Sequence, residues 1–241
     1  MTRLTQAIVN LTRLTSLSTR VLADTTGATA FVQRPPSYTV PAFSGSVGVA
    51  GYFGGGYAPS FTSRIDKITF PADTKTTLSA TLSSARSELS AMANSGVAGY
   101  FGGGIDSVRL SGIDKITFPA DTKTTLSATL TAAVSFAAGM ANSSVAGYFG
   151  GGSTTTVNVN TIDKITFPAD TKTTLSATLT AARAELGGMA NSGVAGYFGG
   201  GDPATDIIDK VSFPADTKTT LSATITANVT SITGMANSGL L

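Results

Sequence analysis

The spacing of hydrophobic residues changes near residue 48 of this 241-residue chain. Residues 2–22 carry leucine, isoleucine and valine at helical intervals. From residue 48 onward the hydrophobic residues form short runs rich in β-branched and aromatic side chains, and glycine, proline or asparagine ends each run. The pattern therefore predicts an N-terminal helical segment over residues 1–27 and an all-β body over residues 48–241.

The predicted helix has one apolar side, which can be used in two ways. That side consists of Leu4, Ile8, Leu11, Leu14 and Val21. An amphipathic helix of this kind either docks on a larger structure or pairs with copies of itself as a short coiled coil of two or three strands. In both cases we expect an anchor or oligomerisation segment. Prolines favour extended backbone, so residues 28–47, with Pro35, Pro36 and Pro41, are predicted to be a linker.

A hexapeptide, Gly-Tyr-Phe-Gly-Gly-Gly, occurs four times in the body and sets the period of the chain. The copies begin at residues 51, 99, 147 and 196, so successive starts are 48, 48 and 49 residues apart. A near-identical block follows each copy, and its first version spans residues 65–82. A fixed period of about 20–50 residues is typical of solenoids, propellers and other repeat arrays. We therefore expect each repeat to fold as one supersecondary unit.

Each repeat contains four segments with strand character. In the first repeat they are predicted at residues 49–54, 65–70, 76–82 and 88–94. Four short strands in one such period correspond to one blade of a β-propeller, so the predicted fold is four-bladed. The strand at 49–54 has no strand before it. Residues 232–238 resemble the segment that precedes each of the other three Gly-Tyr-Phe strands. This C-terminal strand is predicted to close the ring; a neighbouring chain is the other acceptor for it.

Several residues of the repeat carry a resemblance to a known family. The Tyr-x-x-Gly-Gly pattern that starts at Tyr52 resembles the diglycine strand of kelch repeats. Phe70, followed after a polar turn by Leu78, is similar to a second part of the kelch repeat, as are Arg86 and Arg183. The resemblance implies a kelch-like β-propeller. Arrays of this hexapeptide are also similar to repeats in predicted bacteriophage tail, fibre and head-surface proteins, which implies a place on a virion.

Three consecutive glycines end each Gly-Tyr-Phe strand, and we expect a structural role for them. Glycine lets two backbones approach closely and adopts positive φ angles in turns. Phosphate binding is the other common use of glycine-rich loops, but neither a predicted helix nor a Lys-Ser/Thr pair follows these copies. The predicted structural glycines are Gly54, Gly55, Gly56, Gly102, Gly103, Gly104, Gly150, Gly151, Gly152, Gly199, Gly200 and Gly201.

Composition restricts the chemistry of this chain. Charged residues make up 12% of it, against about 25% in an average soluble protein, which suits a protein packed into an assembly. The sequence has no Cys and no His, which removes thiolate metal sites, the commonest general base and Ser-His catalysis. We therefore predict no enzymatic activity, no catalytic residues, no metal and no cofactor. The net charge of +2 and the lack of a long apolar run predict neither nucleic-acid binding nor a membrane span.

Acidic and basic residues recur at fixed places in each repeat. The first copies are Asp66 next to Lys67, and Asp73 two residues before Lys75. Turn hydrogen bonds and ion pairs between repeats are one interpretation, and calcium held at each turn is the other. A single Asp per turn, followed closely by Lys, is a poor set of calcium ligands, so we favour the structural interpretation.

The four repeats diverge between their Gly-Tyr-Phe strand and the strand that follows. The divergent segments are residues 57–64, 105–112, 153–161 and 202–207, and we expect them on one rim of the ring. Divergent loops on a rigid scaffold typically form a binding surface, whereas neutral drift at exposed tips is the alternative. The candidate binding residues are Tyr57, Phe61, Arg64, Asp106, Arg109, Thr155, Asn158, Asn160, Asp202 and Asp206.

These observations predict a non-enzymatic structural protein of a bacteriophage virion, located on the tail or particle surface. Residues 1–44 are expected to attach the chain to other virion proteins. The propeller is expected to be displayed, with a host glycan or surface protein as its ligand, and we expect a homo-oligomer. The alternative is a cellular kelch-like scaffold that binds protein partners.

Overall fold

The structure is a computed structural model that describes residues 50–236. The predicted helix over residues 1–27, with its anchor residues, and the predicted linker over residues 28–47 lie outside the described residues. Inside them the chain forms fifteen β-strands and no helix, so this part contains no helix that could cross a membrane. The strands form four separate antiparallel sheets, which confirms the all-β prediction for the described body.

Each sheet is an up-and-down meander, and sheets 2 to 4 each take their first strand from the end of the preceding repeat. Sheet 1 contains β1 (Ala50–Gly54), β2 (Ile65–Thr69) and β3 (Thr74–Thr77). Sheet 2 contains β4 (Ser90–Asn94), β5 (Ala98–Gly102), β6 (Ile113–Thr117) and β7 (Thr122–Thr125). Sheet 3 contains β8 (Ala138–Asn142), β9 (Ala146–Gly150), β10 (Ile162–Thr166) and β11 (Thr171–Thr174). Sheet 4 contains β12 (Gly187–Asn191), β13 (Ala195–Gly199), β14 (Ile208–Ser212) and β15 (Thr217–Thr220).

The outer strand of each sheet begins earlier than the sequence predicted. In sheet 1 it covers Thr74–Thr77, whereas residues 76–82 were expected. Asp73 has a positive φ of 50° and turns the chain back after β2, so pairing starts at the next residue. The amide of Leu78 then donates to the carbonyl of Ile65 at 2.9 Å, and the chain leaves the sheet. The β-branched run is therefore longer than the strand that it forms.

The core lies between successive sheets. In the second, third and fourth hexapeptides the Phe packs against the first triplet glycine of the preceding repeat. A Cβ at Gly102 would lie 2.8 Å from the ring of Phe149, which is closer than carbon atoms can pack. Gly102 thus allows the close approach for which the sequence predicted glycine. The next residue, Gly103, has a φ of +66° at the turn into the following loop, which also favours glycine.

The strand predicted to close the ring does not pair with β1 in the part of it that the structure describes, residues 232–236. Sheet 1 has three strands, and no described strand lies beside the free, inner edge of β1. The segment instead continues the row of inner strands β4, β8 and β12. The amide of Ile232 donates to the carbonyl of Glu185 at 3.2 Å, just as Glu185 donates to Phe136 at 2.9 Å. The described residues therefore do not form a closed ring.

Candidate binding surface

The four divergent loops leave their sheets at equivalent places. We call residues 57–64, 105–112, 153–161 and 202–207 loops 1 to 4. At the base of each loop the second triplet glycine donates its amide to a carbonyl at the far end of the loop, over 3.0, 3.1, 3.0 and 3.1 Å. The four donors are Gly55, Gly103, Gly151 and Gly200. Loops of different sequence are thus closed by one repeated hydrogen bond.

A second hydrogen bond fixes each loop to the segment that follows the outer strand of the same repeat, which we call the connector. The third triplet glycine donates to a connector carbonyl over 2.8, 2.8, 2.9 and 2.9 Å. The acceptors are Arg86, Val134, Arg183 and Val229. Because the acceptor is a backbone carbonyl, the bond persists where valine replaces arginine.

Neighbouring loops also contact each other. Ser135 joins loops 2 and 3, because its hydroxyl accepts a hydrogen bond from Arg109 Nε at 3.3 Å and its backbone pairs with Ser153. Loops 3 and 4 touch directly. Asn158 Nδ2 donates to the carbonyl and to the carboxylate of Asp202, at 2.8 and 3.1 Å. Loops 2, 3 and 4 therefore form a continuous surface.

Loop 1 extends this surface and contributes its aromatic residues. The connector residue Ser87 pairs with Ile105, which links loop 1 to loop 2. The rings of Tyr57 and Phe61 meet edge to face, with centroids 5.2 Å apart, and Tyr57 is 65% exposed. Arg64, at the end of the same loop, is also exposed. We call the surface formed by loops 1 to 4 the loop rim.

The tips of the other loops expose apolar residues that the sequence reasoning did not select. Val108 in loop 2 is 62% exposed and Val157 in loop 3 is 60% exposed, next to the exposed Thr155. Pro203 and Ala204 are exposed at the tip of loop 4. Their position in the middle of each divergent segment was the signal that could have identified them.

Several candidate residues instead hold the loops in shape. The carboxylate of Asp106 accepts hydrogen bonds from the amides of Val108 and Ser107, and these bonds hold its pKa below the ordinary value. Asn160 and Asp206 offer their backbone carbonyls to amides of their own repeats, at 2.9 Å. These hydrogen bonds help to hold the loops of the rim in shape.

Charged residues of the sheets form buried ion pairs with residues of the connectors. Arg183 Nη2 lies 2.7 Å from Asp209 Oδ2, and the two side chains are 1% and 0% exposed. Burial by itself raises the pKa of the Asp209 carboxyl. Hydrogen bonds from Thr180 and Lys218, together with the charge of Arg183, outweigh burial and hold this pKa below its ordinary value.

These buried pairs predict how stability depends on pH. Asp114, 3.1 Å from Arg86, also has a lowered pKa, because hydrogen bonds and the Arg86 charge outweigh burial. A carboxyl with a lowered folded-state pKa contributes stability above the unfolded pKa of about 4 and loses it as the pH falls through the folded-state pKa. We expect the free energy of unfolding in urea to be level from about pH 5 to 8 and to fall below about pH 4. A rise on acidification would contradict this.

The recurring acidic residues of the turns bind the preceding sheet. Lys67 Nζ lies 2.7 Å from Asp121 Oδ2, and Tyr52 donates its hydroxyl hydrogen to Asp121 Oδ1 at 2.7 Å. Lys115 bridges to Asp170 in the same way, at 2.6 Å. Within residues 50–236 no three His, Cys, Asp or Glu side chains group closely enough to hold a metal ion. The salt bridges of Asp121 and Asp170 confirm the prediction of ion pairs between repeats for these turn residues.

Comparison with known proteins does not place the chain in a family. No protein-family model matches it, and a search of the curated proteins finds no similar sequence. The kelch-like resemblance and the bacteriophage setting therefore stay predictions.

Proposed function

We propose that this chain is a non-enzymatic structural protein that displays the loop rim to a binding partner. The stacked sheets are the rigid part, and the four loops are the part that varies. The single observation that carries this proposal is the repeated pair of glycine hydrogen bonds beneath four loops of different sequence. Scaffolds that keep one backbone support and vary the exposed tips typically serve recognition.

The chemistry of the exposed tips supports a binding role. Tyr57, Val108 and Val157 are each at least 60% exposed, although all three are large apolar residues. Apolar residues clustered on one surface mark interaction sites more often than scattered ones do. A host glycan or a host surface protein is the proposed ligand, since an aromatic ring with polar neighbours suits both.

The charged groups of the sheets support a non-enzymatic role. Asp114 and Asp209 are buried, and arginine, lysine and hydroxyl groups contact their carboxylates. The turn residues Asp121 and Asp170 are bound by lysine and tyrosine of the preceding sheet. The chain has no His, and these carboxylates are already held by hydrogen bonds and ion pairs, so they are poor candidates for a general base.

The proposed setting is the tail or surface of a bacteriophage particle, where residues 1–44 attach the chain to other virion proteins. The low charged fraction of 12% and the near-identical repeats support a place in a large assembly. The proposal includes the finer architecture: the four sheets are the blades of a kelch-like propeller. A C-terminal strand of residues 232–238 then supplies the inner strand that sheet 1 lacks.

Replacing the apolar tips tests the display proposal. The triple variant Tyr57→Ser, Val108→Ser and Val157→Ser removes the exposed apolar groups without touching the base hydrogen bonds. We expect its binding to whole bacterial cells and to a glycan array to fall at least about tenfold, because centrally placed apolar contacts dominate recognition. Binding is measured by flow cytometry and by array fluorescence with the full chain.

The matched control places three substitutions on the outer strands. Thr76→Ala, Thr124→Ala and Thr173→Ala lie on β3, β7 and β11, where these side chains are exposed. This variant is expected to bind like the parent chain. Equal binding by both triple variants would overturn the role of the loop rim.

Co-purification tests the setting. The protein is expected to sediment with phage particles through a density gradient. Recovery as a free protein with one stoichiometric cellular partner would favour the cellular kelch-like scaffold instead.

A further inference from the structure

Successive sheets dock through one repeated set of side-chain contacts. Each interface joins a trailing face, which presents the hexapeptide Tyr and the Lys opposite it, to a leading face, which presents a Phe and an Asp from the next sheet. In the first interface Tyr52 stacks on Phe118 with centroids 4.7 Å apart. Asp121 completes the contact by accepting hydrogen bonds from Tyr52 and Lys67, both at 2.7 Å.

The second and third interfaces reproduce the first. Tyr100 and Tyr148 stack on Phe167 and Phe213, with centroids 5.1 and 5.2 Å apart. Their hydroxyls donate to the equivalent Asp residues at 2.8 and 2.7 Å. Every interface is heterologous, because a trailing face always meets a leading face.

At each end of the described array, one of these two faces has no neighbouring sheet packed against it. On the leading face of sheet 1, Phe53 is 72% exposed and Phe70 is 44% exposed. Inside the array the counterparts of Phe53 and Phe70 are more buried, and Phe198 and Phe167 are 0% and 8% exposed. On the trailing face of sheet 4, neither Tyr197 nor Lys210 forms the hydrogen bonds to an Asp that its counterparts form, as far as residues 50–236 show.

A cavity of about 630 Å³ lies between β1 and β4, where an inner strand of sheet 1 would belong. Its walls include Tyr52, Gly99 and Phe118. At the two equivalent interfaces a methionine fills this space: the sulfur of Met92 would lie 2.0 Å from a Cβ at Gly147, and Met140 packs on the next repeat in the same way. Beside Gly99 the nearest side chain to such a Cβ is Phe118, and no methionine is present.

The chain carries the missing methionine at its C-terminal end. Residues 234–239 read Gly-Met-Ala-Asn-Ser-Gly, the same as residues 188–193 around Met189. Met235 is 90% exposed, whereas Met92 and Met140 are 7% and 4% exposed. In sheet 2, Met92 lies opposite Tyr100. By the same register Met235 belongs opposite Tyr52, with its side chain in the cavity.

The position of the segment favours a second copy as the acceptor. Ile232 and Gly234 already stack on β12 as β12 stacks on β8, since a Cβ at Gly234 would lie 2.8 Å from the Gly188 carbonyl. The β1 strand of the same chain forms no hydrogen-bonded pairing with the described part of the segment, and the leading face of sheet 1 is open. Another molecule can therefore dock sheet 1 on sheet 4 without rearrangement of either end.

We infer that residues 232–236 of one copy form the inner strand of sheet 1 in a second copy, with Met235 in its cavity. Phe70 and Asp73 of the second copy then meet Tyr197 and Lys210 of the first. Strand addition satisfies the open edge of β1, and a heterologous contact of this kind builds rings or filaments. The inference rests on the blade assignment proposed above, but not on the ligand of the loop rim.

Engineered disulfides test the inference, because the chain has no cysteine of its own. Gly51 and Ala236 correspond in register to Gly99 and Ala93, which are paired across β4 and β5. Residues paired across strands lie about 4.5–5.5 Å apart, within reach of a disulfide. The full chain with Gly51→Cys and Ala236→Cys is expected to give a ladder of covalent oligomers on a non-reducing gel. Each single-cysteine variant is expected to give no ladder.

The control variant, Ala93→Cys with Gly99→Cys, is expected to form its disulfide inside one chain. A cross-linked monomer from the test variant would overturn strand exchange but keep the closed propeller. Failure to cross-link, while the control succeeds, would overturn both the exchange and the proposed blade closure.

A second variant does not depend on disulfide formation. Strand exchange predicts that the mass measured by light scattering rises with the concentration of the parent chain. Met235→Asp places a charge in the apolar cavity and is expected to weaken this association at least tenfold. An unchanged mass profile would overturn the inference.

Discussion

Replacing Asp209 with asparagine is expected to lower the free energy of unfolding by about 3–5 kcal/mol. The substitution removes the negative charge that faces Arg183 but keeps the shape of the side chain. The Arg183 guanidinium is 1% exposed and would remain buried without its counterion. Desolvation already lowers the pKa of Arg183, and Asp209 offsets that effect. Urea unfolding followed by circular dichroism measures the change.

The chain contains a matched control for this prediction. Asp163 occupies the equivalent place in sheet 3, but Val134 stands where the arginine would be. Its carboxylate accepts hydrogen bonds from Thr131 and Thr174 and lies 3.3 Å from the partly exposed Lys172. Asp163→Asn therefore orphans no buried charge and is expected to cost only about 1–2 kcal/mol. Equal losses for the two variants would show that the arginine pair is not what makes Asp209 sensitive.

A single methyl group at Gly150 is expected to cost about 1–3 kcal/mol. The Cβ of Gly150→Ala would lie 2.6 Å from the tip of the Phe198 ring, and Phe198 is 0% exposed. The ring has no free space to move into, so sheets 3 and 4 would have to separate. The midpoint of urea unfolding is expected to fall accordingly.

Gly199 is the matched control, because it holds the same place in the last repeat. The nearest atom to a Cβ there is the Ile225 Cδ1 at 3.2 Å, the flexible end of a side chain. Gly199→Ala is expected to change the free energy of unfolding of a single chain by less than about 0.5 kcal/mol. Equal destabilisation at Gly150 and Gly199 would contradict the packing of phenylalanine on glycine between sheets.

The sequence predicted the parts of this fold that repeat within one unit. The inner and central strands lie close to where their β-branched and aromatic runs indicated, because each strand ends at a local signal such as a glycine triplet. The outer strand was placed too late, since the Thr-rich run from Thr74 to Leu82 continues after pairing has stopped. Where a strand stops depends on tertiary hydrogen bonds such as that from Leu78, which a pattern of residue types does not contain.

The contacts between repeats could be predicted in kind but not in detail. The recurrence of Asp and Lys indicated ion pairs between repeats, yet the partners of Asp121, Tyr52 and Lys67, lie 69 and 54 residues away. The exposed tips Val108 and Val157 were missed, because hydrophobicity alone indicates burial. Their exposure follows from the hydrogen bonds that close each loop at its base.

Hydrogen exchange at the loop bases tests the central claim most directly, since that claim is a single rigid support beneath four different loops. Mass spectrometry with peptides from the divergent loops separates the otherwise similar repeats. The amides of Gly55, Gly103, Gly151 and Gly200 are expected to share similar strong protection, while the tip amides exchange rapidly. Base amides that exchange as fast as the tips, or that differ from one repeat to the next as the loop sequences do, would contradict it.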